Sequence, residues 1–413
     1  MNNTSYGITP SNIFAILGGL TCLTGKVSAT GIEQAYHDAQ AAALGNAVSS
    51  RIDTAAAVHF NPAGLALIDR TELQATFFGT WAETDFQGAA FSTTSNQGFT
   101  PSGSLFFASP LPEDWGVVGL GLTLPHGLSS SYPEDSGLRN LAIDATLIHA
   151  RLTGSYARSL SDTLRIGFGL VYAYDDLETR QGIAVPGDSN QLSVNGSSWG
   201  WSFGLQWEPH PQHAVGFTFR SGLEIEHSGT LTTTTVLPTA QSFASPAESE
   251  IDYPDQYVLS YSWQATPALN LGIDVQWTDW SSFDEFSASA NTPLGTLDLS
   301  VPWDYQPGLI IGVGAEYTVN PSLTLRGGYL FGESTIPDDT LTPFVPDSDL
   351  HVFSLGAQWD WQDWSLAATY LYGLREEREV QGSTSDALTG TISSDGIWNT
   401  DGHTTLITLT RRF

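Results

Sequence analysis

Arg151, Arg165, Arg220 and Arg326, together with Glu224, Glu226, Asp274 and Glu316, recur in segments that alternate polar with apolar residues. Alternation of this kind places them on one face of their strands, away from the apolar stripe. Arginine offers a planar fork of donors that grips a carboxylate with two hydrogen bonds, so one of these side chains could receive a ligand carboxylate. The alternative is plain mutual neutralisation of arginines and acids across an interior. Other reactive patterns lack a supporting context. Gly200-Trp-Ser-Phe-Gly204 has the spacing of a nucleophile elbow, but it reads as continuous strand rather than strand, sharp turn and helix. His210 and His213 share a proline-rich turn with no third ligand in view, and His37 and His59 stand alone. Asp338, Asp339, Asp347 and Asp349 lack the spacing of a calcium loop. No phosphate-binding loop, dinucleotide fingerprint or zinc-protease motif occurs. The expectation is a protein that is not an enzyme and uses no metal or cofactor.

The elements that carry these charges are strands. From Thr71 to the end, short segments alternate polar with apolar or aromatic residues, and the chain closes on Thr404-Thr-Leu-Ile-Thr-Leu-Thr-Arg-Arg-Phe413. Leu164, Ile166, Phe168, Leu170, Tyr172 and Tyr174 form one apolar stripe, and Tyr257, Leu259, Tyr261 and Trp263 another. Turn chemistry at Ser161-Asp162, Pro209 to His213, Thr266-Pro267, Asn320-Pro321 and Gln362-Asp363 alternates with long polar stretches at 181–196, 230–250, 287–305 and 381–400. Short turns at one end and long loops at the other describe a transmembrane antiparallel β-barrel, here of about fourteen strands. Such a barrel satisfies its backbone hydrogen bonds in lipid without any long apolar helix. The strands expected include 115–126, 142–158 and 213–229, the last with Glu224 and Glu226 opposite its apolar face.

The first seventy residues differ. Residues 13–23 are apolar, too short to span a bilayer as a helix, and precede Val27-Ser28-Ala29, a small-residue cleavage site. Residues 1–29 therefore read as an export signal, which holds the only cysteine, Cys22, and the only lysine, Lys26. Residues 30–69 are alanine-rich with helical spacing, and residues 70–413 form the barrel. The 44 acidic against 14 basic residues, a net charge of -30, argue against nucleic acid or anionic lipid as a specific partner.

Asn61-Pro62-Ala63-Gly64-Leu65, preceded by Ala43-Leu-Gly-Asn-Ala-Val and Asp53-Thr-Ala-Ala-Ala-Val, resembles the N-terminal hatch of the FadL family of outer-membrane transporters. Leu124-Pro-His-Gly-Leu, Trp199-Gly-Trp-Ser-Phe-Gly204, Phe219-Arg-Ser-Gly-Leu-Glu-Ile-Glu, Trp277-Thr-Asp-Trp-Ser and Leu325-Arg-Gly-Gly-Tyr continue the resemblance in order. The resemblance implies an all-β fold of fourteen strands plugged by a small, partly helical hatch in a Gram-negative outer membrane. It implies passive transport of hydrophobic compounds, long-chain fatty acids first and aromatic or aliphatic hydrocarbons as the alternative; a non-transport receptor barrel is the remaining reading. The chain is expected to work as a monomer among outer-membrane lipids. Pro125, His126 and Gly127 fall where the family's third strand is broken for lateral exit. Arg151 and Arg139 are the residues placed by position to take a carboxylate, and Arg165, Arg220, Arg326, Glu224 and Glu316 are expected to face the lumen.

Overall fold

The computed structural model describes residues 31–96, 98–292, 295–383 and 393–413. The export signal read at 1–29, with Cys22 and Lys26, lies outside the described residues. Two short helices come first, α1 (Ala39–Ala43) and α2 (Ala57–Phe60), followed by a 3-10 segment at Pro62–Leu67. The wall then begins with β1 (Glu72–Gln87), β2 (Ser92–Thr94), β3 (Phe99–Pro110), β4 (Val117–Ser131), β5 (Asp144–Ser159), β6 (Leu164–Gly182) and β7 (Ser189–His210). Four broken strands follow. They are β8 (His213–Arg220) with β9 (Leu223–Thr235), β10 (Gln241–Tyr253) with β11 (Gln256–Thr266), β12 (Leu269–Thr278) with β13 (Glu285–Thr292), and β14 (Gly295–Pro302) with β15 (Gly308–Asn320). β16 (Leu323–Gly332), β17 (Leu350–Trp361), β18 (Trp364–Arg375), β19 (Arg378–Val380) and β20 (Gly396–Arg412) complete the wall.

β1 pairs with β3 on one side and, from Glu72↔Arg412 to Gln87↔Ile397, with β20 on the other, so the sheet closes on itself. Counting each broken strand once and leaving out the short β2 and β19 gives a closed antiparallel barrel of fourteen strands. Closure removes the free edges that an open sheet would expose to lipid. The outer stripes are where alternation put them. Phe168, Leu170, Leu259, Tyr261, Trp263 and Tyr370 are all exposed at the barrel's outer surface, while Arg165, Gly167, Gly169 and Ala173 turn inward.

Two expectations fail for one reason each. Much of the stretches 181–196, 230–250 and 287–305, read as loops from their serine, threonine and glycine content, is strand that continues the wall: residues 189–196, 230–235, 241–250, 287–292 and 295–302. Backbone ladders, not side-chain propensity, hold them. Glu224 and Glu226 do not face the lumen; both are exposed, and Leu223, Ile225 and His227 point inward instead. From Ser202↔Arg220 to Gly196↔His227, six steps along β7 meet seven along the chain through Ser221 and Gly222. One extra residue reverses every later side chain in β9.

Residues 31–68 lie inside this wall. The 3-10 segment packs against β5, β6 and β7, and α1 against β16, β17, β18 and β20 on the opposite side. Where the two backbones meet, the wall is glycine: a Cβ at Gly312 would stand 1.9 Å from the Gly45 carbonyl oxygen, and one at Gly167 would stand 2.3 Å from the Pro62 carbonyl carbon. Gly45 itself has φ +60°, a conformation that side chains other than glycine's rarely adopt.

Candidate functional site

The Asn61-Pro62-Ala63-Gly64 motif works as a structural knot. Asn61 is completely buried; its Nδ2 donates to the Ser49 and Leu205 carbonyls at 2.8 and 3.1 Å, and its Oδ1 accepts from the Ala63 amide at 3.1 Å. A Cβ at Gly64 would lie 2.2 Å from the Ile52 carbonyl oxygen. The motif thus binds the internal segment to itself and to β7. Asp38 caps α1 through the Ala41 amide at 3.0 Å and receives Gln74 Nε2 at 2.8 Å, anchoring the same segment to β1.

Pro125, His126 and Gly127 sit inside β4, at a bulge. Thr123 pairs with Arg151 and His126 with His149, so three steps on β4 meet two on β5. Proline has no N–H for the ladder, and the extra residue brings His126 into the lumen, where it is 1% exposed. Here β4 also parts from β3: their pairing ends at Leu105↔Leu122, and farther along β4 the Ser131 carbonyl accepts from the Asn96 amide, in the segment before β3, at 2.8 Å. The internal segment fills the interval. The Gln34 amide donates to the Pro125 carbonyl at 2.8 Å and the Gly127 amide to the Ile32 carbonyl at 3.0 Å, bridging Glu33 to His126.

The charges divide into three sets. Arg165 is paired with Glu208 at 2.8 Å and Arg326 with Glu316 at 2.7 Å, so these arginines are neutralised in place. Arg139 is occupied in the loops, donating to the carbonyls of Glu134, Val185 and Asp188 and to Asn140 Oδ1 at 2.9–3.1 Å. Four of its five N–H groups are thus spent in the loops, and of the two arginines placed by sequence position only Arg151 lines the lumen cavity described next. Arg151 and Arg220 are different. Both are buried, both line one small cavity with Val58, His59, Val171 and Leu223, and neither forms an ion pair among the described residues. Arg220 donates to the His59 and Phe60 carbonyls at the end of α2. Arg151 spends only Nε, on His149 Nε2 at 2.8 Å. Burying a guanidinium costs several kcal/mol unless an acceptor or anion compensates it.

Beside this cavity is a polar group that the sequence reading did not pick out. Asp175, His149, His227 and Tyr253 are all buried, and Asp175 accepts from the other three. The signal was present for Asp175 and His149, which share the inward faces of Ala173 and Arg151; the face reversal after Arg220 hid His227. Toward the long loops, the strand breaks turn rings inward. Trp280 is fully buried, and Phe283 stacks on Trp303 with centroids 4.6 Å apart, with Tyr305 and Phe286 around them. Two acidic residues of the 333–349 loop serve arginines, Asp347 binding Arg375 at 2.7 Å and Asp338 binding Arg378 at 2.6 Å, while Asp349 accepts from the Ser334 amide at 2.8 Å. Among the described residues no group of His, Cys, Asp and Glu is arranged to hold a metal ion. Gly200-Trp-Ser-Phe-Gly204 lies in the middle of β7, without the turn and helix that an elbow requires.

Residues 20–413 match the model of a family described as outer membrane protein transport protein (OMPP1/FadL/TodX). A long-chain fatty acid transport protein of Escherichia coli O6:H1 is 23% identical over 394 residues, covering 84% of this chain and 86% of its own. Outer membrane protein P1 of Haemophilus influenzae is 22% identical over 343 residues, covering 75% and 73%. A solved Pseudomonas aeruginosa FadL homologue superposes with a TM-score of 0.83 at 20% identity, over 93% of this chain and 100% of that one. The Pseudomonas putida toluene transporter TodX gives 0.75 at 17% identity, over 94% and 100%. With its closed barrel and the family match over nearly its whole length, the chain belongs to the OMPP1/FadL/TodX family of outer-membrane transporters of hydrophobic compounds.

Proposed function

We propose that this protein carries long-chain fatty acids across the outer membrane by passive diffusion. The observation that carries the reading is Arg151: a buried cation at a cavity walled by Val58, Val171 and Leu223 together with Thr123, Thr153 and Ser202, with two guanidinium nitrogens uncommitted and no ion-pair partner among the described residues. A fatty acid carboxylate would supply the missing anion while its tail runs along Leu128, Leu147, Leu177 and Ile225 toward the loop aromatics. Such a molecule is excluded by a polar surface layer yet partitions into the bilayer core once past it. The interval between β3 and β4 at Pro125 serves as the lateral exit, and residues 31–68 as a hatch whose segment 32–34 must leave that interval for substrate to pass. The relative named as a long-chain fatty acid transport protein supports the same reading.

A second reading, uptake of monoaromatic hydrocarbons, is favoured by the ring cluster of Trp280, Phe283, Trp303 and Tyr305 and by the likeness to a toluene transporter. Equilibrium binding to the purified barrel in detergent separates the two. Oleate should bind saturably and weaken at least tenfold in Arg151→Met, with toluene unaffected. Toluene binding alone, or oleate affinity indifferent to Arg151→Met, would reject the carboxylate reading.

A further inference from the structure

Asp175 is a completely buried carboxylate that the transport route does not touch, yet four strands converge on it. It projects inward from β6 opposite Gly196 of β7, and Gly196 in turn pairs with His227 of β9. Because Gly196 has no side chain, the carboxylate can reach past β7 to a strand that is not its neighbour. Oδ2 accepts from the Tyr253 hydroxyl at 2.7 Å and from His227 Nε2 at 3.1 Å. Oδ1 faces His149 Nδ1 at 2.5 Å. On the far side of that ring, Arg151 Nε lies 2.8 Å from His149 Nε2.

These contacts determine the protons. A guanidinium nitrogen can only donate, so His149 Nε2 must accept, the hydrogen of the neutral ring must sit on Nδ1, and Nδ1 donates to Asp175. The chain Asp175–His149–Arg151 is therefore directional. It differs from a direct Asp–Arg pair in one consequence: the carboxylate is satisfied by three donors of its own, while Arg151 is held by a neutral acceptor and keeps its charge and both terminal nitrogens for the cavity. We propose that Asp175, acting through His149, is the positioning residue that holds Arg151 as a receptor for the substrate carboxylate, a role that rests on the reading of Arg151 given above.

Asp175→Asn tests the direction of the chain. Tyr253 and His227 both donate to the Oδ2 position, so the amide oxygen must lie there and the NH2 must face His149 Nδ1. The ring then has to accept at Nδ1 and carry its hydrogen on Nε2, where it meets the Arg151 Nε–H head-on. An isosteric change thus breaks the His149–Arg151 bond through the wrong tautomer, the logic by which the third member of a catalytic triad orients its histidine. His149→Ala removes the link outright and serves if the asparagine variant does not fold, with heat-dependent gel mobility reporting an intact barrel.

The probes are oleate and oleyl alcohol, which share a tail and differ in head-group charge. Asp175→Asn and His149→Ala should each weaken oleate about tenfold or more, roughly 1.4 kcal/mol, and change oleyl alcohol less than about twofold. In an Arg151→Met background Asp175→Asn should cause no further loss of oleate, because both act on one interaction. Loss of both ligands to the same extent, or additive losses in the double variant, would make Asp175 a structural residue and overturn the proposal. Arg151→Met weakening oleate while both relay variants bind normally would reject Asp175 alone; an Arg151→Met variant that binds oleate normally would reject the receptor itself.

Discussion

Among the described glycines, the tightest packing against backbone sets a measurable expectation for the plug. A Cβ at Gly312 would lie 1.9 Å from the Gly45 oxygen, and one at Gly328 would lie 2.4 Å from both the Gly45 nitrogen and the Leu44 carbonyl carbon. All three are backbone atoms, so no side chain can swing away; the turn at Leu44–Asn46 must retreat by more than an ångström. Overpacking of this kind costs about 1–3 kcal/mol per site. Gly312→Ala with Gly328→Ala should therefore weaken seating of residues 31–68 by about 2–6 kcal/mol, raising the undocked population about 30-fold even at the low end. Gly154→Ala is the control, because a Cβ there meets nothing within 4 Å. Hydrogen exchange of residues 35–60 and single-channel conductance in planar bilayers report the outcome. The double variant should exchange faster across the segment and show discrete openings that the control lacks. Wild-type protection and a silent bilayer in the double variant would refute the argument that glycine contact seats the plug.

Two further expectations concern the same segment. Burial holds the His37 imidazole far below its usual range, at about 3. A released segment would titrate near 6.5, so between about pH 6.5 and 3 the undocked state binds the extra proton and docking weakens as pH falls, by up to roughly 1.4 kcal/mol per unit. Exchange at residues 31–40, corrected for intrinsic rates, should rise from pH 7 to pH 5, and His37→Phe should reduce that dependence, the rest being carried by His59, which burial in the same segment also holds below its usual range. Asn61→Ala leaves the Ser49 and Leu205 carbonyls without their shared donor and should cost about 1–3 kcal/mol of segment protection; unchanged exchange around Ser49 would count against the knot.

Much of this architecture was legible from residue order. Period-2 alternation identified the strands and the outward stripes, because a side chain in a closed barrel has only two places to go. Turn residues such as Asn320-Pro321 and Gln362-Asp363 located the short turns, where local backbone chemistry decides the structure. What escaped was non-local. The single extra residues at Pro125 and at Ser221–Gly222 each reverse the faces of everything above them, and only the pairing with β5 and β7 reveals them. Glu224 was misplaced for that reason, and His227 was passed over. The long polar stretches were read by composition, although a ladder partner can make a strand of serine and threonine. Arg139 and Arg151 looked alike in sequence; three loop carbonyls separate their roles. The pairing of Asp175 with His149 was within reach, since both follow the inward parity of their strands, but their convergence with Tyr253 needed the fold.

Uptake of radiolabelled oleate, by cells lacking their own transporter and expressing either this chain or its Arg151→Met variant, tests the central claim most directly. Saturable oleate uptake that falls steeply in Arg151→Met, with small hydrophilic solutes still excluded, is the predicted result. Absence of saturable uptake together with leakage of hydrophilic solutes through the unaltered chain would contradict it.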